Sequence, residues 1–274
     1  MTLSPGEALF RLLARKEPFY VVSHERSGTH FAINNLFRNA YVRPHLQYVG
    51  DWLGPYESQE TRYRHLEKFR ADWPSLRLGG GIVKTHAQSG LFRRWYPAAP
   101  VVYVLRDPRD TLVSFYHYLN SDELHATNPG LASQRCPDFA EFLRRPLSDY
   151  LRHGFCDEPH FDNVAGRWAS HVAGWMREPG VCVVRYEDLL RDYRACVRKV
   201  CRSVGLFPRL FHSPVGLHDA ASVLPRRGTA GEGRTVFSSQ DEELLRLEMA
   251  GHGLEFSECE PFSVRLRSSA SHGR

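Results

Sequence analysis

Residues 19–39 read FYVVSHERSGTHFAINNLFRN. Phe19–Ser23 is a run of aromatic and β-branched residues, the composition of a buried strand. Thr29–Asn39 places Ile33, Leu36 and Phe37 on one helical face. Between them, Ser23–Phe31 turns from strand to helix through Gly28. Backbone N–H groups at a helix start, with a Gly for close approach, make an anion site. Arg26 adds a fixed positive charge, and Ser27 and Thr29 add hydroxyl donors. The GxxxxGK[ST] pattern of a Walker loop is missing, so this is a phosphate loop of another kind. A plain turn with a helix cap is the alternative for the segment taken alone.

Outward from this stretch, strand and helix patterns alternate. Gly81–Thr85, Val101–Leu105 and Val181–Tyr186 read as further buried strands. Pro108–Leu119, Phe161–Trp175, Leu189–Val204 and Gln240–Met249 read as helices. The alternation predicts an α/β fold, a central parallel β-sheet flanked by helices and entered through a P-loop-like strand–loop–helix. In such sheets ligands sit beyond the carboxyl ends of the strands. Ser23–Thr29, Lys84–His86, Arg106 and Tyr186–Glu187 all fall there, so basic and polar residues converge on one rim from four strand ends.

Each rim segment has a chemical and a plainer reading. In Lys84-Thr85-His86, a cation and an imidazole can stabilise a leaving oxyanion and accept a proton; an isolated His more often satisfies local hydrogen bonds. Ser114 lies eight residues after Arg106, about two helical turns, so the two share one anion only if the turn folds back. Asp107 and Asp110 suit capping of the Pro-started helix. Residues 224–234, LPRRGTAGEGR, read as a loop closing over an anion or as a solvated basic loop. Tyr41–Leu78 and Asn120–His160 are poorly patterned and read as acceptor-binding insertions.

Composition narrows the class. A chain of 274 residues accommodates one α/β domain, set here at residues 1–267, with the polar Ser268–Arg274 as a disordered tail. A net charge of +5 suits an anionic small molecule in a basic cleft and falls short of a nucleic-acid coat. Only four of the 36 basic residues are Lys, which singles out Lys84 a little. The apolar runs are too short for a bilayer span, and no signal-peptide core precedes Arg15. The six cysteines form no CxxC pair, so reduced thiols in a cytoplasm are expected rather than a disulfide framework.

Taken in order, these segments resemble the cytosolic-type sulfotransferases, which use 3′-phosphoadenosine 5′-phosphosulfate (PAPS). Arg26–Phe31 is similar to that family's 5′-phosphosulfate loop, PKSGTTW, and Arg106–Tyr118 to its 3′-phosphate motif, RNPKDxxVSxYHF. Lys84–His86 matches its KTH, Tyr186-Glu187-Asp188 its YED, and Arg226–Gly228 its RKG. The resemblance runs over residues 19–250. It implies in-line sulfuryl transfer to a hydroxyl on a small molecule, with PAP as nucleotide product and no metal. It implies catalysis by His86, Lys84 and Arg26, with Ser27, Gly28, Thr29 and His30 lining the 5′ side. Arg106, Ser114, Arg226, Arg227 and Gly228 would hold the 3′-phosphate, and Phe31 and Tyr186 would bracket the adenine. His86 is expected to have an unperturbed imidazole. The chain departs from the pattern at Arg26 for Lys, Phe31 for Trp, Ala87-Gln88 for Leu-Pro, and Gly233 where Trp is common. The dimer signature is reduced to Arg234, Ser238-Ser239 and Glu243, so that dimer is not expected and the oligomeric state stays open. A P-loop-like nucleotide kinase and a non-catalytic nucleotide-binding relative remain as alternatives. No nucleic-acid or membrane partner is expected.

Overall fold

The computed structural model describes residues 5–15, 17–42, 46–48, 81–127, 135–146, 161–216, 230–257 and 263–267. Arg226, Arg227, Gly228, the tail and most of both insertions lie outside the described residues. In chain order the strands are β1 (Phe19–Ser23), β2 (Leu46–Tyr48), β3 (Ile82–Thr85), β4 (Val101–Leu105), β5 (Cys182–Arg185), β6 (Leu254–Ser257) and β7 (Ser263–Leu266). The helices are α1 (Pro5–Leu13), α2 (Thr29–Asn39), α3 (Ser89–Trp95), α4 (Pro108–Leu119), α5 (Asp122–Thr127), α6 (Phe139–Arg144), α7 (Val164–Arg177), α8 (Tyr186–Arg191), α9 (Tyr193–Val204), α10 (Gly233–Val236) and α11 (Ser239–Gly251).

Strands β1 to β5 form one parallel sheet in the order β2-β3-β1-β4-β5. Every residue of β1 and β4 is buried, as central strands covered on both faces must be. Alternation sorts their side chains. Tyr20, Val22, Tyr103 and Leu105 join the core that contains Leu112 and Phe115 of α4 and Trp168 and Trp175 of α7. Phe19, Val21, Val102 and Val104 join the opposite core, with Ile33 and Leu36 of α2 and Val197 and Val200 of α9. With β1 central and helices on both sides, the loop after β1 emerges beside the ends of β3 and β4.

The expected helix Leu189–Val204 is in fact two helices. Asp192 interrupts it, because its carboxylate accepts a hydrogen bond from Ala195 N and caps a new helix start. The insertion after Tyr41 contains β2 at the sheet edge, and the one after Asn120 contains α5 and α6. The antiparallel pair β6–β7 was also unforeseen.

Candidate active site

The rim is built by register. Val22 pairs with Thr85, Ser23 with Val104, and Leu105 with Arg185, so four strands end level. The next residues, His86, Arg106, Tyr186 and the 24–28 loop, therefore meet. Within the loop, Ser27 N donates to His24 O (3.3 Å), and the Ser23 and Thr29 hydroxyls meet at 2.5 Å. Arg26 has φ 65, the non-Gly positive φ among the described residues, and Gly28 has φ 86. A Cβ on Gly28 would stand 2.2 Å from the Tyr186 ring, so this position needs Gly for space as well as conformation.

Helix α2 begins without a side-chain cap and without an acid in its first turn. Asp107, Asp138, Asn163, Asp192 and Ser238 cap α4, α6, α7, α9 and α11, whereas α3, α8 and α10 also start without a side-chain cap. An uncapped helix start beside a Gly and cations is what an external anion requires.

The cations lie around it. Arg26 Nε donates to Ser114 Oγ (3.4 Å), and its guanidinium lies 4.9 Å from the Tyr118 ring centre. Arg106 donates to the Arg26 carbonyl (3.0 Å) and lies 4.6 Å from the Tyr186 ring centre. Arg106 and Ser114 thus both contact Arg26, Arg106 at its backbone carbonyl and Ser114 at its side chain. Lys84 Nζ donates to His30 Nε2 at 3.0 Å. Phe31 and Tyr186 touch edge to face with centroids 5.8 Å apart, so a base can enter between the rings only if they separate.

His86 is buried, and its Nδ1–H donates to the Ser23 carbonyl at 2.7 Å. That bond fixes the tautomer and leaves the ring lone pair on Nε2. The expectation of an unperturbed imidazole is wrong. Burial first and the Lys84 charge second push its pKa down to about 3, with Glu25 and the Ser23 carbonyl only partly opposing. The ring is firmly neutral before any anion arrives.

Beneath loop and base lies a network that sequence reasoning missed. Arg167 of α7 forms a two-pronged pair with Glu25 (2.7 and 2.8 Å) and contacts His24 Nε2 (3.0 Å). His171, one turn on, donates from Nε2 to the His86 carbonyl (3.1 Å) and accepts from the Tyr103 hydroxyl (2.9 Å). Burial would raise the Glu25 pKa, but Arg167 and His24 outweigh it and hold the carboxyl well below the usual range. Burial pushes His24 down to about 4 and His171 well below its usual value. The available signal was two polar residues, Arg167 and His171, four apart among the apolar positions of a predicted helix.

Asp110 has a role beyond the expected capping. Its two carboxylate oxygens accept from the amides of Gly231 and Gly233, each at 2.7 Å. A Cβ on Gly233 would meet the Arg109 carbonyl carbon at 2.4 Å, which explains Gly at this position. Among the described residues no cluster of His, Cys, Asp and Glu could hold a metal ion, and no helix is long and apolar enough to cross a membrane.

The family model for the sulfotransferase domain matches residues 16–208. The chain belongs to the sulfotransferase domain family. Within it, a 3-alpha-hydroxysteroid sulfotransferase of Cavia porcellus is 34% identical over 110 residues, 39% of this chain and 31% of that protein. Sulfotransferase 2A1 of Macaca fascicularis is 25% identical over 200 residues, 70% of this chain and 60% of that protein. The chain thus spans less than two thirds of these relatives' length. A mouse sulfotransferase solved with PAP superposes with a TM-score of 0.55 at 17% identity, over 90% of this chain and 88% of that one. At that identity the likeness establishes the shared sulfotransferase fold.

Proposed function

We propose that this chain transfers a sulfuryl group from PAPS to a hydroxyl on a small-molecule acceptor and releases PAP. The observation that carries this is the convergence of Arg26, Lys84 and Arg106 around an uncapped helix start, next to a neutral buried imidazole. Family membership and the PAP held by the mouse structure support the same donor.

In the reaction the acceptor oxygen bonds to sulfur as the bond from sulfur to the 5′-phosphate oxygen breaks in line. The electron pair of that bond stays on the departing PAP oxygen, and the hydroxyl proton passes to Nε2 of His86. The residues' task is chiefly positioning and charge stabilisation. Arg26, the Ser27 hydroxyl and the amides of Gly28, Thr29 and His30 hold the 5′ side. Lys84, two residues before His86 and so on the same side of β3, neutralises the departing oxygen. Arg106 and Ser114 hold the 3′-phosphate together with Arg226, Arg227 and Gly228, and Phe31 and Tyr186 contact the adenine. Because the Lys84 charge helps depress His86, pairing of Lys84 with the donor strengthens the base when it is needed. A single domain over 1–267, a cytoplasmic site of action and no resident metal belong to the same proposal.

The test is a melting curve with PAP and, separately, with ATP and Mg²⁺. Ligand at a hundred times its Kd adds about 2.7 kcal/mol, an easily seen shift. Stabilisation by PAP alone is expected; stabilisation only by ATP with Mg²⁺ would move the assignment to a nucleotide kinase. In an active preparation, His86→Ala should lower kcat by about 10²- to 10⁴-fold while PAP affinity holds. Full activity in that variant would remove His86 from the scheme.

A further inference from the structure

Arg167 is fully buried on α7 and cannot itself touch a donor or an acceptor. Its guanidinium ends on the residues immediately before Arg26. It grips Glu25 with both prongs and meets the ring of His24, whose Nδ1 lies 3.0 Å from the Glu25 carbonyl. Those contacts pin the chain where it must enter the left-handed turn at Arg26 (φ 65), a conformation unfavourable for a residue with a side chain. The amides and guanidinium that face the anion therefore inherit their position from a group one layer below.

A buried ion pair is a poor means of adding stability, since apolar residues of the same volume often serve as well or better. What it supplies is direction: two fixed hydrogen bonds in a dry, low-dielectric setting, with both partners satisfied. Glu25 also stands at the Pro of the PKSGTTW pattern, where a ring would otherwise stiffen the turn.

We propose that Arg167 is a positioning residue for the anion loop, acting through Glu25 and His24 to hold the Arg26–Gly28 turn in its donor-binding form. This rests on the sulfotransferase reading of the site. Two variants of the full chain test it, Arg167→Lys and the apolar pair Glu25→Leu/Arg167→Met. Both are compared with wild type by melting temperature and by calorimetric affinity for PAP and for adenosine 3′-monophosphate, which lacks the 5′ group.

The expected result is that PAP binding weakens about tenfold or more, one charge-assisted hydrogen bond's worth, while adenosine 3′-monophosphate binding stays within about twofold. The Lys variant keeps a cation opposite Glu25 but loses the fork, so it reports on positioning even if the apolar pair fails to fold. Unchanged PAP affinity in the folded variants, or equal losses for both nucleotides, would reduce Arg167 to a general support and overturn the proposal. A wild-type chain with no affinity for either nucleotide would instead sink the sulfotransferase reading, and the proposal with it.

Discussion

Acidification from pH 7 to 5 should remove much of the stability of this fold, because His24, His86 and His171 are held neutral inside it. All three have native pKa values below the ordinary 6.5, about 4 for His24, about 3 for His86 and well below for His171, with burial the largest cause. Once unfolded, each ring regains its usual value and binds a proton, so across the window from about 6.5 down to 4 the unfolded chain holds more protons. Stability is complete above that window and falls as pH falls through it. With no proton bound to them in the native state, His24 and His86 each cost about 2 kcal/mol in the step from pH 7 to 5, and His171 adds a loss of the same sign. A typical domain has only about 5–15 kcal/mol in total, so the loss decides whether the fold persists. Glu25 acts in the same direction but only at lower pH, where an unfolded carboxylate begins to take up a proton. The assay is urea unfolding followed by the fluorescence of buried Trp168 and Trp175 at pH 7.5, 6 and 5. His24→Gln should make the slope of stability against pH shallower. A midpoint unchanged between pH 7 and 5 would mean that the native imidazoles titrate normally and that the network is wet.

Gly28→Ala should lose PAP binding by more than tenfold and cost about 1–3 kcal/mol of stability, from its positive φ and the collision with Tyr186; calorimetry and melting would register both. Gly233→Ala should destabilise as well, since the new carbon would meet backbone of α4 rather than a side chain able to move. A melting temperature at or above wild type would show that α10 can shift at little cost. Arg106→Ala should weaken PAP about 10- to 100-fold and ATP much less. Equal losses would assign Arg106 to holding the Arg26 carbonyl instead of the 3′-phosphate.

The sheet was legible because its central strands are continuous apolar runs, and α2 and α4 because each has a Gly or Pro at its start and apolar residues at helical spacing. Sequence periodicity could not reveal the break at Asp192. A continuous apolar stripe looks the same whether or not an exposed carboxylate caps the amide of Ala195. Nor could three-residue β2, whose strand character comes from pairing with β3. At the site, rim positions followed from strand ends, so Arg26, Lys84, His86 and Arg106 could be named from the sequence. The layer below could not, because Arg167 and Glu25 lie 142 residues apart and only the fold brings them together. The depressed His86 pKa had the same obstacle: burial and nearness to the Lys84 charge are three-dimensional quantities.

The Glu25–Arg167 pair also limits how this sequence can drift. A substitution at one position strands the other charge in the dry interior, a loss of about 3–5 kcal/mol, whereas replacing both together can be nearly neutral. The route from a Pro-containing loop to this one is therefore narrow, and intermediates with one half of the pair should be short-lived. Among sequences descended from a common ancestor, the acid and the base are expected to enter and leave as a couple. A lineage with Pro at position 25 should carry something other than Arg at position 167.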